Sequence, residues 1–314
     1  MSQTAERFFS EDYLREAGKT SAVLFAQWLA AGQTQQAVAQ LDDMRNEMQA
    51  MYYNYRGWQK RMLAVFTERE GVQKSAQVLA SIETDDAPER LIDVEGIYQR
   101  WDDAFDIIRA LVAEDQYDRA QQECEALHKH ALAVHDGMMS RVTAILSELY
   151  RSYGDAVVMQ VLREVMNPAA IDPDGKLPFK EKVEKLIFFT RLHLLPFTVV
   201  EDDEKATFMP DPCPSGARLI RDGHYEAPRN GAKVNPASAL TYQQSDFPIY
   251  CCHEPAMEIT SILANGVPVF VIDPSDQLGY KPCKTYVYKN NAEIPARFFE
   301  RLGLEKPQDL IARG

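Results

Sequence analysis

Apolar residues recur every three or four positions from Ala5 to about Met166, as in Val65, Phe66, Val72, Ala76 and Leu79, or Ile145, Leu146, Leu149 and Tyr150. That period places them on one face of an α-helix. Ala, Gln, Glu, Arg and Leu, all good helix formers, fill the positions between, and Pro88 alone interrupts the stretch. After Asn167-Pro168 the texture changes. Pro, Gly, Asp and Asn become frequent, and short β-type runs appear at Phe197 to Val200, Val267 to Ile272 and Thr285 to Tyr288. The acidic run Glu201 to Glu204 lies between two β-like segments and reads as a solvated hairpin turn. The pattern predicts an α+β chain: an all-α helical domain over residues 1–166 and an α+β domain over residues 178–314. Asn167-Pro168 and Asp172 to Gly175 supply the turn chemistry between them.

The helical half also matches itself at a shift of 83 residues. Ala30, Gln33 and Ala37 fall on Ala113, Gln116 and Ala120; Leu63, Gly71 and Gln77-Val78-Leu79 fall on Leu146, Gly154 and Gln160-Val161-Leu162. Both glycines stand where a helix–helix turn is expected. The match predicts a two-unit repeat packed as one bundle, with Pro88 at the junction; chance similarity of two alanine-rich helices is the alternative.

Composition narrows the class. Of 314 residues 46% are hydrophobic, and 47 Asp+Glu against 34 Lys+Arg give a net charge of −13, which speaks against a general nucleic-acid binder. The longest apolar stretch, Ile262 to Ile272, is too short and too broken by Gly and Pro to span a bilayer. The N-terminus lacks the basic start and apolar run of a secretion signal. Five cysteines, an odd number, suggest a reducing compartment. The expectation is a cytoplasmic protein with a small-molecule substrate and neither a nucleic-acid nor a membrane partner; formation of a homo-oligomer is left open.

In the helical half, His135 and Asp136 stand where the first unit has Tyr52 and Tyr53, so they are candidates for lining a pocket against the other domain. Glu125 and His128 share a helix face, as in carboxylate-bridged di-metal bundles, but no second Glu-x-x-His follows. Arg191 and His193 lie in an otherwise apolar segment, where packing or carboxylate binding would account for them.

Four of the five cysteines fall in the second half. Cys213 sits on a Pro- and Gly-rich loop, with Arg218 near enough in sequence to favour a thiolate. Tyr250-Cys251-Cys252-His253-Glu254 followed by Glu258 gathers two thiols, an imidazole and two carboxylates at the start of an expected helix. Cys283 opens an expected strand. Three separate elements carrying soft donors suit a tetrahedral Zn²⁺ site, so Cys213, one of Cys251 and Cys252, His253 and Cys283 are expected to converge. Core packing of the thiols and a purely structural metal remain alternatives.

Cys213, Cys251 or Cys252, Glu258 and Cys283, within Phe197 to Lys289, resemble the pattern of aminothiazoline-carboxylate hydrolases and, more distantly, of vinyl-reductase-type small-molecule-binding domains. The resemblance implies a pocket-bearing α+β domain that handles a small organic molecule with cysteines at the site. The expectation is therefore a zinc- or thiol-dependent hydrolase or lyase acting on a small anionic molecule containing nitrogen or sulfur. In the metal version Glu254 or Glu258 serves as general base and Arg218 orients the substrate. In the thiol version Cys213 attacks and His253 takes its proton. A helical-repeat interaction scaffold with structural zinc, and a small-molecule sensor, are the alternatives. No glycine-rich phosphate cradle or serine nucleophile elbow is present.

Overall fold

The computed structural model describes residues 7–83, 94–166, 172 and 174–311; Pro88 and Asn167-Pro168 lie outside the described residues. The helical half comprises α1 (Glu11–Ala17), α2 (Ser21–Ala30), α3 (Thr34–Glu70), α4 (Val72–Glu83), α5 (Val94–Ala113), α6 (Tyr117–Tyr153) and α7 (Asp155–Val165). No strand occurs before β1 among the described residues.

The repeat is present in the backbone. Helices α3 and α6 are each 37 residues long, and both begin and end 83 positions apart. Each follows a left-handed residue, Gly32 or Asp115. The next amide, Gln33 or Gln116, donates to a carbonyl five residues back, Trp28 at 2.8 Å or Leu111 at 2.9 Å. This is a Schellman-type stop. Both long helices end on a positive-φ glycine, Gly71 (φ 89) and Gly154 (φ 79), which lets α4 and α7 fold back. Inward positions of α3 (Ala37, Leu41, Met44, Met48) and α6 (Ala131, Met138, Val142, Ile145) are buried at helical spacing, as the period requires.

Helix α8 (Phe179–Arg191) leads into an antiparallel sheet of β1 (Thr198–Glu201), β2 (Lys205–Met209), β5 (Val271–Asp273) and β6 (Lys284–Tyr288), in the order β1-β2-β6-β5. A two-stranded ladder joins β3 (Lys233–Val234) to β4 (Phe247–Pro248). Short α9 (Gly216–Arg221), α10 (His253–Asn265), α11 (Arg297–Glu300) and α12 (Gln308–Ile311) complete the chain.

The β1–β2 hairpin forms at the acidic run, where the Asp202 carboxylate accepts from the Glu204 and Lys205 amides at 2.8 and 2.9 Å. Glu201 departs from the solvated reading: it is buried, pairs with Lys289 at 2.8 Å and accepts the Phe8 and Phe9 amides. The Val267 to Ile272 run becomes a strand only at its end. The Ser261 hydroxyl bonds the Val267 carbonyl and the Val269 amide, holding that backbone on α10 instead of in the ladder.

One hydrophobic cluster runs from Phe9 to Leu310 through both halves. The Phe197 amide donates to the Gly18 carbonyl at 2.9 Å, tying α1 to the entrance of the sheet, and α7 packs between α6 and α10.

Candidate functional site

A cavity of about 350 Å³ opens between α3 and the C-terminal elements. From α3, Met51, Asn54, Tyr55, Trp58 and Arg61 line it at steps of three or four residues, one helical stripe. His193, just beyond α8, lines it from a second side. The loop after β2 brings Cys213 and Ser215, the short 3-10 helix Ile249–Cys252 brings Tyr250 and Cys251, the start of α10 brings His253 and Glu254, and the entry to β6 brings Cys283.

Cys213, Cys251 and Cys283 thus line the same cavity; the sequence pattern predicts a tighter convergence, on a single point. All the cysteines are free thiols. Burial pushes the Cys251 thiol well up, with Cys213 and Cys283 adding to it. Burial and then Cys213 push the Cys283 thiol up to about 12. Both are therefore neutral thiols near pH 7. Cys213 is only half-buried, with the Ser215 hydroxyl 3.7 Å from its sulfur. Cys251 lies against Gly216, where an added Cβ would come within 2.5 Å of its sulfur. The missing side chain leaves room for the thiol.

Cys252 does not join them. It is fully buried, its thiol directed at the Pro248 carbonyl 3.8 Å away, and it lines no part of the cavity. Among the described residues, no group of three or more His, Cys, Asp and Glu side chains is arranged to hold a metal ion.

His253 and Glu254 form a pair at the cavity wall, Nε2 to Oε1 at 3.1 Å. His253 Nδ1 donates to the Tyr250 carbonyl at 2.6 Å. Burial works to lower the His253 pKa, but Glu254 and these hydrogen bonds outweigh it and leave it raised. Both ring nitrogens of His253 thus face acceptors, the Tyr250 carbonyl and Glu254, and the carboxylate it orients, Glu254, lines the cavity beside it. Trp58 lies over the imidazole with ring centres 5.4 Å apart.

Glu258, the other expected base, is not at the cavity. It accepts from the Tyr242 hydroxyl at 2.5 Å, the Ile272 amide at 2.8 Å and Arg301 at 3.0 Å. It clamps α10 to β5 and to the segment after α11. Arg218 likewise does not reach substrate space: it pairs with Asp136, and neither lines the cavity. The cation at the cavity is Arg61, which is exposed.

His135 and Asp136 sit one layer behind the wall. His135 is completely buried; its Nδ1 lies 3.1 Å from Asp136 and its Nε2 lies 3.0 Å from His193 Nδ1. His193 Nδ1 is 3.4 Å from the Tyr55 hydroxyl, which is 2.9 Å from the Tyr250 hydroxyl. Elsewhere, Glu125 is exposed and bonded to Gln121, while His128 has a hydrogen bond with the backbone of Leu194, so the two are engaged with different partners and, among the described residues, build no second centre. Arg191 does hold a carboxylate, the protein's own Glu47, at 2.8 Å.

Tyr55, Trp58 and Arg61 were not legible as site residues, because an aromatic stripe at helical spacing looks like core. Tyr250, directly before the cysteine doublet, had a positional signal only.

Comparison of the chain with protein-family models, curated proteins and solved structures finds no match. The likeness to aminothiazoline-carboxylate hydrolases rests on the cysteine and glutamate positions alone.

Proposed function

We propose that the chain is a thiol-dependent hydrolase or lyase in which Cys213 attacks a small organic molecule held in the cavity. The observation that carries this reading is the meeting of three free thiols, from three separate segments, with the His253–Glu254 pair on one cavity of about 350 Å³, a size suited to a small ligand. Cys251 and Cys283 are held neutral by burial, which leaves the half-buried Cys213 as nucleophile. Its proton passes to Glu254, a new sulfur–carbon bond forms at the electrophilic carbon, and the leaving group departs with that proton. Water then releases the second product in a hydrolase. The mostly apolar lining with Arg61 at one side suits a compact molecule bearing an anionic group. A nitrogen- or sulfur-containing substrate agrees with the resemblance noted above.

The test uses 4-nitrophenyl acetate, an activated acyl donor small enough for the cavity. A burst of 4-nitrophenolate equal to the protein concentration, with the acetyl group on Cys213, is expected. Cys213→Ala should abolish the burst and Cys283→Ala should retain it. No burst in the wild type, or acetylation confined to other residues, would overturn the proposal.

A further inference from the structure

Behind the cavity wall lies a continuous line of hydrogen-bonding groups: Arg218, Asp136, His135, His193, Tyr55 and Tyr250. Proton counting fixes its direction. The Asp136 carboxylate, paired with a guanidinium, only accepts. His135 Nδ1 therefore carries a proton and, in the neutral ring, Nε2 is bare. A bare Nε2 at 3.0 Å requires the proton on His193 Nδ1. That nitrogen, already a donor, cannot accept from Tyr55, so of the two groups within reach of the Tyr55 hydroxyl only Tyr250 can take its proton. With the bond formed in that sense, the proton of Tyr250 is left over. Among the described residues Tyr55 is the one hydrogen-bond partner of that hydroxyl, and the ring lines the cavity beside Cys251.

We propose that the Tyr250 hydroxyl is a catalytic donor that hydrogen-bonds the carbonyl oxygen or imine nitrogen of the molecule attacked by Cys213. Asp136, His135, His193 and Tyr55 are positioning residues that keep its proton turned toward the cavity. The assignment rests on the thiol-enzyme reading and narrows its substrates to molecules whose electrophilic carbon bears such an acceptor: esters, amides, thioesters or cyclic imines. A donor there would meet the negative charge that builds on the acceptor as the sulfur–carbon bond forms.

Two further observations agree. Burial lowers the pKa of His135, and burial with the neighbouring His135 and His253 lowers that of His193, so both rings are neutral, as the counting assumes. Burial, then Tyr55, Cys213 and Glu254, hold the Tyr250 pKa well above its ordinary value, so the hydroxyl keeps its proton. A plain core network would satisfy its hydroxyls among themselves; this one, by the counting above, holds one donor more than it has acceptors, and both of its tyrosines line the cavity.

The experiment reads tautomers first. In the full-length chain labelled with ¹⁵N-histidine, NMR should show His135 and His193 both neutral and protonated on Nδ1. In Asp136→Asn the side-chain oxygen faces Arg218 and the amide donates to His135, reversing the line, so both rings should switch to protonation on Nε2. With 4-nitrophenyl acetate, Tyr250→Phe and Asp136→Asn should each slow the acetylation of Cys213 by roughly 10²-fold at saturation. The half-saturating ester concentration should change little. Asp136→Asn keeps the test decisive should Tyr250→Phe not fold. His193 protonated on Nε2 in the wild type would overturn the Tyr250 assignment. So would wild-type acetylation rates in a folded Tyr250→Phe or in Asp136→Asn. Absence of acetylation in the wild type, by contrast, overturns the thiol-enzyme reading itself, whatever the tautomers show.

Discussion

Cys251 and Cys252 share one turn of 3-10 helix, and that geometry sends their thiols to different surroundings: one to the cavity, the other to the core. Residue types that carry chemistry were legible along the chain; which of two neighbours faces the site was not, because side-chain direction in a one-turn element depends on what packs around it. The two carboxylates Glu254 and Glu258 divide in the same way. Four residues apart on α10, Glu254 meets His253 at the cavity while Glu258 is buried under Arg301, Tyr242 and the Ile272 amide. Burial pushes the Glu258 pKa up from 4.5 to about 7, against the pull of Arg301 and its other donors. Between those values the folded chain binds more protons at this site than the unfolded chain. The contribution of Glu258 to stability is therefore present below the unfolded value and is lost as pH rises through the folded one. In urea titrations at a series of pH values, Glu258→Gln should show a flatter loss of stability across this window than the wild type. Parallel curves would show that Glu258 titrates alike in both states.

At the scale of elements, the repeat was readable because it is written in backbone requirements. Gly71 and Gly154 terminate helices of equal length at φ of 89 and 79, a region where a Cβ is strained. Strand β5 was only partly readable, since the Ser261 hydroxyl removes Val267 and Val269 from the ladder, a tertiary effect with no local signature. These glycines give a signed prediction. Gly71→Ala and Gly154→Ala should each cost on the order of 1–3 kcal/mol. Gly57→Ala, inside α3 with its nearest neighbour, an Arg61 nitrogen, at 3.8 Å, should instead stabilise by roughly 0.5–1 kcal/mol. Urea denaturation of the three variants decides it; a common sign for all three would mean that backbone conformation at the two helix ends is not what the repeat conserves between its units.

At the scale of the molecule, the change of texture near residues 167–178 marks a change of secondary structure, and the hydrophobic cluster continues across it. Val158, Val161, Leu162 and Val165 of α7 are all fully buried, in a helix that contacts both α6 and α10. Burying each such side chain is worth roughly 1.5–3 kcal/mol, so separating the halves would forfeit a large share of a typical folding free energy of about 5–15 kcal/mol. The cavity has the same dependence: its tryptophan, one of its tyrosines and its arginine come from α3, its thiols from the other half. A helical scaffold acting independently of its C-terminal partner would require the reverse, a bundle that melts by itself. The chain carries its own reporters for this choice. Trp28, Trp58 and Trp101 all lie in the helical half, and Cys252 is a fully buried thiol in the other. Tryptophan fluorescence and pulsed alkylation of Cys252, followed through one urea titration, should give coincident midpoints, as a single cooperative unit demands. A Cys252 transition completed while the tryptophan signal is still native would show that the helical half stands alone, and the reading of the cavity as a site built jointly by both halves would then have to be abandoned.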